Sequence, residues 1–597
     1  MKKKPIIDYT NRDFESIKND LIEYAKKYYP DTYKDFSEAG FGSLMMDNVA
    51  LIGDMLSFYL DYQANESMLE TAVEYNNVLS HSKTLGYNLQ TNPSSYGTVS
   101  FFIMVPALAS AIGPNLAYAP TLRRGSEVAS TSGNTFVLLE DVNFADTNNT
   151  TSVVGRVDET TGVPTYYAIK ARGRVISGRL STKVVTIDEF QRFRKVNIGS
   201  SRVAEIISVI DAQGNQYYQV DNLSQNVIYK KIANRNTDKY DVPNILKPVA
   251  VPRRFTLERT LNDVSIQFGY GSDEIYTESD ILDPSNTTLD IFSKDYISDT
   301  SFDPYKLIKN DKLGIAPSNT TLTIVYRENS LDNVNAATNS VNKVQSAIFK
   351  FQDEANLSQP QVNFVSSTIE CINETPIRGD VTIPTTDELK LRARANFATQ
   401  KRCVTVEDYK SCVYNMPADY GAVKRVNIYQ DKDSFKRNLN LYVISEDTNG
   451  NLASAPITLK QNISEWLSLH KMVNDSIDIL DARIVNFGVS FRIVAEANYN
   501  RYDVLQAAIN KLSQEMSMKL DIGESISISN IYNLLNEVDG VEDTVDVKII
   551  PKNGGPYSTT RFDFDSNITP DGRLVRGYEN VIFELKFPQT DIKGSIV

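Results

Sequence analysis

Histidine is nearly absent: the 597 residues hold two, His81 and His470. Acid–base catalysis near neutral pH and imidazole metal ligation have almost nothing to work with, and each reads as an ordinary surface or boundary residue. Cysteine is as scarce. Cys371, Cys403 and Cys412 complete the set, with no C-x-x-C pair, so the spacing encodes neither a disulfide framework nor a zinc site, and a reducing compartment fits best. Positive charge is in deficit, with 62 Lys+Arg against 75 Asp+Glu and a net −13, which argues against a protein that coats phosphate backbones. Long apolar runs are missing. The most apolar stretch, residues 101–112, is broken by Pro106 and falls short of the roughly 20 residues a spanning helix needs. The start, Met1-Lys2-Lys3-Lys4, turns acidic at Asp8 before an apolar core develops, so no signal peptide is read there.

What remains is ordinary globular material, 41% hydrophobic and 23% charged, enough for about three to four domains at about 150 residues each. Thr10-Asn11-Arg12-Asp13 predicts a helix start, with Thr10 as cap and an acid three residues on. After Gly40-Phe41-Gly42, Met45, Val49, Ile52, Leu56 and Tyr59 recur at spacings of 4, 3, 4 and 3, one stripe along a helix. That stripe has two readings, a face turned to the protein's own core or a subunit-interface helix in a bundle with another chain. From Gly97 the period changes to two. Val99, Phe101, Ile103 and Val105 alternate with Ser100, Phe102 and Met104, and further strands are predicted at residues 135–139, 166–175, 203–209, 264–268 and 322–326. Residues 272–312 look like an excursion from this β-rich region, and residues 329–361 like a connector with some helix.

Past residue 380, capping boxes at Thr385–Glu388 and Thr405–Asp408 predict two successive helices, followed by a hairpin at 423–429 and 439–444 and a helix around Trp466. A strand with Val489, Phe491, Ile493, Ala495 and Ala497 then leads to two helices and a strand at 545–549. The expected fold class is α+β multidomain: a helical N-terminal region, a β-rich middle domain, and two C-terminal α/β-mixed domains with paired helices on small sheets. The boundaries fall at 1–95 (helical), 96–328 (β-rich, with insertions), 329–380 (connector), 381–479 (helix-helix-hairpin) and 480–597 (strand-helix-helix-strand plus tail).

Motifs for chemistry fail one after another. Gly269-Tyr270-Gly271 lacks the third glycine of a dinucleotide fingerprint, and Gly572–Gly577 is followed by Tyr578 where a P-loop needs Lys. Asp563, Asp565 and Asn567 open like a calcium loop, but Ile568 occupies the turn glycine's place and Leu574 that of the closing acid. The cations Lys390, Arg392, Arg394, Lys401 and Arg402 read as a solvated face or as partners for acidic neighbours. Catalytic residues, cofactor and metal are all expected to be none, and the chain is expected not to be an enzyme. A tail-associated glycan or peptide hydrolase and a receptor-binding adhesin are the rival readings.

The stretches Glu374-Thr-Pro-Ile-Arg-Gly-Asp380, Asp387-Glu-Leu-Lys-Leu-Arg-Ala-Arg394 and Arg402-Cys-Val-Thr-Val-Glu-Asp-Tyr409 carry a resemblance. They match a Gly-acid turn, an acidic-start Arg/Ala-rich helix and a basic-x-Val-Thr-x-Glu-Asp-Tyr helix entry. On these residues the chain resembles the baseplate J-like family, which includes contractile-tailed phage baseplate wedge proteins, and looks like a T-even-like wedge subunit of the inner baseplate ring. The likeness extends to Ile266-Gln-Phe-Gly-Tyr-Gly271, to Leu313-Gly-Ile-Ala-Pro317 and to Asp8–Phe14; Tyr270 departs from the usual acid or Asn. The resemblance implies a non-enzymatic virion subunit of the tail baseplate, assembled in the host cytoplasm. Its implied partners are a second copy of itself as homodimer, another baseplate wedge protein, neighbouring wedges in a ring, and hub and sheath-proximal proteins, with no nucleic acid and no membrane insertion. The N-terminal helices would assemble the wedge and residues 480–597 would dimerise between wedges, closing a ring around the hub and transmitting the change that triggers sheath contraction.

Overall fold

Asp13 begins the first helix, its carboxylate accepting the Ser16 N–H at 2.9 Å. The computed structural model describes residues 13–30, 40–87, 94–108, 113–200, 202–233, 244–260, 263–271, 313–329, 334–379, 384–417, 420–431, 438–447, 449–516 and 520–596, so the expected cap Thr10 lies outside them. The acid read as the third helical residue is itself the cap, because its short side chain reaches the free N–H groups of the first turn. The chain forms two compact units, residues 1–89 with 384–400, and residues 90–383 with 401–597.

The first unit is helical: α1 (Phe14–Tyr28), α2 (Phe41–Glu66), α3 (Tyr75–Thr84) and α4 (Thr386–Thr399). The Glu66 carboxylate ends α2 and opens α3, accepting the Val73 N–H at 2.7 Å and the Asn77 amide at 2.8 Å. Burial works to raise its pKa, but the donors from Val73, Asn77 and Glu74 outweigh that and hold it below the usual carboxylate range. Thr385 caps α4 by accepting the Glu388 N–H at 3.3 Å. Leu389 and Ala393 of α4 are fully buried in one core with Ala72, Val78, Leu79 and Tyr87. The helix expected to open a 381–479 module is therefore packed in the N-terminal unit.

In the second unit, β1 (Tyr96–Pro106) pairs antiparallel along its whole length with β2 (Pro164–Ser177). Strands Glu127–Ser130, Thr135–Leu138, Thr150–Val157, Val341–Ser346 and Glu370–Ile372 complete the sheet. Val99, Phe101, Ile103 and Val105 face its core, with Val362 and Val365 of the Gln359–Ser367 helix among the residues around them. The stretch expected as a connector from 329 thus supplies two strands and a helix to this layer; its polar, Asn-rich sequence hid short strands whose partners lie about 210 and about 270 residues upstream.

A second sheet holds β3 (Arg179–Ile187), β4 (Val203–Ile210) and β5 (Thr320–Glu328) with four shorter strands. Its apolar side chains, including Val209, Tyr217, Phe255, Phe268 and Leu322, form one core, which a single sheet achieves by curling. Gly271 N–H donates to the Gly314 carbonyl at 3.0 Å and Ala316 N–H to the Gly271 carbonyl at 2.8 Å; the excursion expected at 272–312 lies outside the described residues.

The third layer pairs β6 (Arg425–Gln430) with β7 (Asn438–Glu446) as a hairpin and β7 with β8 (Ser476–Asp481) in parallel. Around it lie α5 (Val406–Tyr414) and α6 (Ile457–Ser468). Thr405 and Asp408 cap α5 reciprocally, and the fully buried Tyr409 donates to Asp475 at 2.5 Å. The fourth layer centres on β9 (Arg483–Ala495), antiparallel to β10 (Val541–Lys552) and parallel to β11 (Val581–Glu584) and β12 (Ile592–Ile596). Its core takes Val504, Ala508 and Leu512 from α7 (Arg501–Glu515) and Ile531 and Leu535 from α8 (Ile528–Asn536). The stretch read as a tail after residue 550 supplies β11 and β12. The fold class is the expected one: N-terminal helices, a β-rich middle, and mixed helix and sheet at the C-terminal end.

Candidate assembly surface and interior joints

The stripe on α2 points outward. Met45 is 49% exposed, Val49 52%, Ile52 57%, Leu56 58% and Tyr59 60%. Phe41, Leu44, Leu51, Met55, Phe58, Leu60 and Tyr62 are exposed with them. At about 100° per residue these side chains sweep roughly 200° of the helix. The side turned to α1 carries small and polar groups instead. A Cβ on Gly53 would stand 3.1 Å from the Ile17 side chain, Ala50 and Ser43 are buried, and Asp47 pairs with Lys18 at 2.8 Å.

This inverts the usual amphipathic helix, in which large apolar groups face the neighbour and polar groups face water. Twelve half-exposed side chains of this size leave on the order of 1,000 Å² of apolar surface uncovered. The largest patch on a typical monomer is about 300–600 Å², and a standard protein interface takes about 800 Å² from each partner. The exposed apolar area of α2 is thus above the first figure and of the size of the second.

In the second unit a chain of buried polar contacts runs through the four layers. Arg327 on β5, 1% exposed, donates to the Ser177 carbonyl at 2.6 Å and Ser94 Oγ at 3.1 Å and pairs with Glu205 at 3.3 Å, tying the second layer to the first. Asn335 accepts from Gly379 N–H at 3.0 Å and from Ser95 Oγ, and donates to the Glu446 carbonyl at 3.0 Å, joining the first layer to the third. The Glu584 carboxylate accepts Leu452 N–H at 2.7 Å and the Asn486 amide at 2.9 Å, joining third to fourth. Gly379 is required at this crossing, since a Cβ there would stand 2.3 Å from the Ser94 carbonyl oxygen. Buried hydrogen bonds of this kind fix relative orientation, because shifting one layer strands several desolvated groups at once.

The residues weighed for chemistry have structural partners. His81 Nε2 lies 2.9 Å from the Glu66 carbonyl, and His470 packs against Trp466 with ring centroids 4.6 Å apart and planes tilted by 60°, its Nδ1 3.1 Å from the Lys401 carbonyl. Burial pushes the Cys371 thiol up to about 12. Arg394 pairs with Glu70 at 2.9 Å, Lys401 with Asp221 at 2.9 Å and Arg392 with Glu388 at 3.9 Å, so these cations meet acidic neighbours. Asp563 caps the short Phe564–Asn567 helix. Among the described residues no group of three or more His, Cys, Asp or Glu could hold a metal ion, and no helix is long and apolar enough to cross a membrane. β10 pairs only with β9 among the described strands and leaves an outer edge bearing Val545, 48% exposed.

Residues 13–84 match the family model described as bacteriophage baseplate protein, N-terminal domain. The helices that carry the outward apolar face lie within the matched residues. No curated protein matches the chain. Two solved structures overlap it broadly. The six-fold symmetrised baseplate of the anti-feeding prophage covers 97% of this chain and 100% of its own, at 11% identity and a TM-score of 0.26. The TssK-TssF-TssG baseplate subcomplex of the type VI secretion system covers 74% of this chain and 96% of its own, at 10% identity and a TM-score of 0.25. At such values no residue here inherits a role from either.

Proposed function

We propose that this chain is a structural subunit of a contractile phage tail baseplate, of the baseplate J-like wedge type. In this reading α1 and α2 join a helical bundle with a second copy and another wedge protein. The second unit acts as a stiff body, and its last layer meets a neighbouring wedge to close a ring around the hub. The observation that carries it is the outward apolar face of α2, on the segment that matches a baseplate domain. The packed joints support force transmission: a displacement of one layer of a stiff body is passed to the next, where a limp linker would absorb it. No reaction is assigned to the chain.

The test is a reconstituted or purified baseplate imaged at side-chain detail. The reading expects α2 enclosed by helices of other chains and the β9–β10 layer in contact with the next wedge. A particle in which α2 stays bare, or a purified chain that turns over cell-wall glycan or peptide as a free monomer, would contradict it.

A further inference from the structure

The chain passes between its two compact units at 89–90, 383–384 and 400–401. Residues 88–93 and 380–383 lie outside the described ones, which leaves Gln400–Lys401 as the described crossing. Its backbone is unusual. Gln400 has φ +47° and Lys401 φ +62°, two successive residues in the left-handed region, each disfavoured there by roughly fivefold to thirtyfold when it carries a side chain.

A single left-handed residue often closes a helix, usually as Gly or Asn, and returns an N–H to the last carbonyls. The end of α4 differs. The caps of α1, α2, α3 and α5 each donate an N–H back into their helix, whereas among the described residues Gln400 makes no such bond at the end of α4. Lys401 then prolongs the kink by one residue. Gln400, Lys401 and Arg402 are good helix formers, so the local sequence favours continuing α4 through the residues that break it. Strain of this kind persists only where the surroundings hold it, and it collects at switch regions.

Both flanks are held. Upstream, Leu389 and Ala393 bury α4 in the helical core, and Lys390 and Asn396 donate to the Glu70 and Gly86 carbonyls at 3.2 and 3.3 Å. Downstream, the Lys401 carbonyl oxygen lies 3.1 Å from His470 Nδ1, and the N–H of the buried Cys403 donates to the His470 carbonyl at 3.0 Å. Lys401 Nζ also pairs with Asp221 at 2.9 Å. Both of these side chains are exposed, so that tie is weak.

We propose that Gln400–Lys401 is a sprung hinge. Its left-handed kink is kept by the two contacts of Lys401, and when they let go the pair relaxes into the right-handed region, lengthening α4 and turning the helical unit about this point. The change rotates φ by about 110° at Gln400 and about 125° at Lys401. A few element-terminal residues absorbing so large a change is how hinges work, and they need not be small. In a baseplate that changes shape, the hinge lets the helical unit move without unpacking either core. That use rests on the function proposed above, whereas the hinge itself is a property of the free chain.

The experiment uses the full free chain, with nitroxide labels on non-canonical residues at positions 73 and 502, both exposed and one in each unit. Pulsed electron resonance reads the distance between them. A minor second distance is expected beside the main one. Asp221→Asn, which removes the ion pair, should raise the minor population by up to about fivefold. Gln400→Gly fits the kink without strain and is a poor helix residue, so it should lower that population by about tenfold or more and melt no lower than wild type. One unchanged distance in all three chains, a second distance that ignores position 400, or one that grows in Gln400→Gly would overturn the proposal.

Discussion

Ile52→Glu separates the two roles that α2 could have. Ile52 is 57% exposed in the free chain, so the substitution removes little native packing. Both residues are ordinary helix formers, and free-chain stability should change by no more than about 0.5 kcal/mol. In an assembly that covers this face, the lost apolar burial costs roughly 1–1.5 kcal/mol, and a carboxylate left unpaired in the interface adds about 2 kcal/mol or more. The sum, about 3 kcal/mol or more, weakens association by about a hundredfold or more. Sedimentation velocity of the chain co-produced with its baseplate partners reads the association, and circular dichroism of the free chain reads the fold. Ile52→Leu, which keeps the apolar character, should assemble as wild type. An Ile52→Glu chain that assembles at wild-type concentrations would refute the reasoning, because no interface tolerates that charge at its centre without loss.

Gly53→Leu should push α1 from α2, since even a Cβ at position 53 stands 3.1 Å from Ile17; a loss of about 1–3 kcal/mol would show as faster proteolysis within residues 13–66. Arg327→Met strips the buried link between the first two layers of the second unit and should lower the first thermal transition of the chain by about 3 kcal/mol, read by calorimetry. Glu66 has a folded pKa below its ordinary value, so the stability it adds is complete above the unfolded carboxyl pKa of about 4.3 and is lost as pH falls through the folded pKa. Hydrogen exchange at the α2–α3 corner should therefore rise below about pH 4, and Glu66→Gln should flatten that dependence while raising exchange at neutral pH.

Periodicity exposed what is local. The β1 alternation, the α5 capping box and the β9–α7–α8–β10 succession are readable because each rests on residues a few positions apart. The α2 stripe was readable for the same reason, yet it was half of the face: Leu44, Leu51, Met55, Phe58 and Tyr62, spaced 7, 4, 3 and 4, mark a second stripe beside it, and only the two together show a helix too apolar to be covered by α1 alone. The rest depended on distant partners. Nothing around Leu389 signals that its core lies some 300 residues upstream. Asn335, Glu446 and Glu584 are ordinary polar letters until the fold buries them, so segments expected as separate domains emerge as layers joined by buried hydrogen bonds. Strands β11 and β12 are four and five residues long and gain their identity from β9, too short for an alternation to declare them.

The most direct measurement places a photoreactive side chain at position 56, on the outer face of α2, and irradiates intact assembled particles. The account predicts a covalent product between this chain and a neighbouring subunit at that position. Products confined to solvent or to the chain itself, in particles that are otherwise complete, would contradict it.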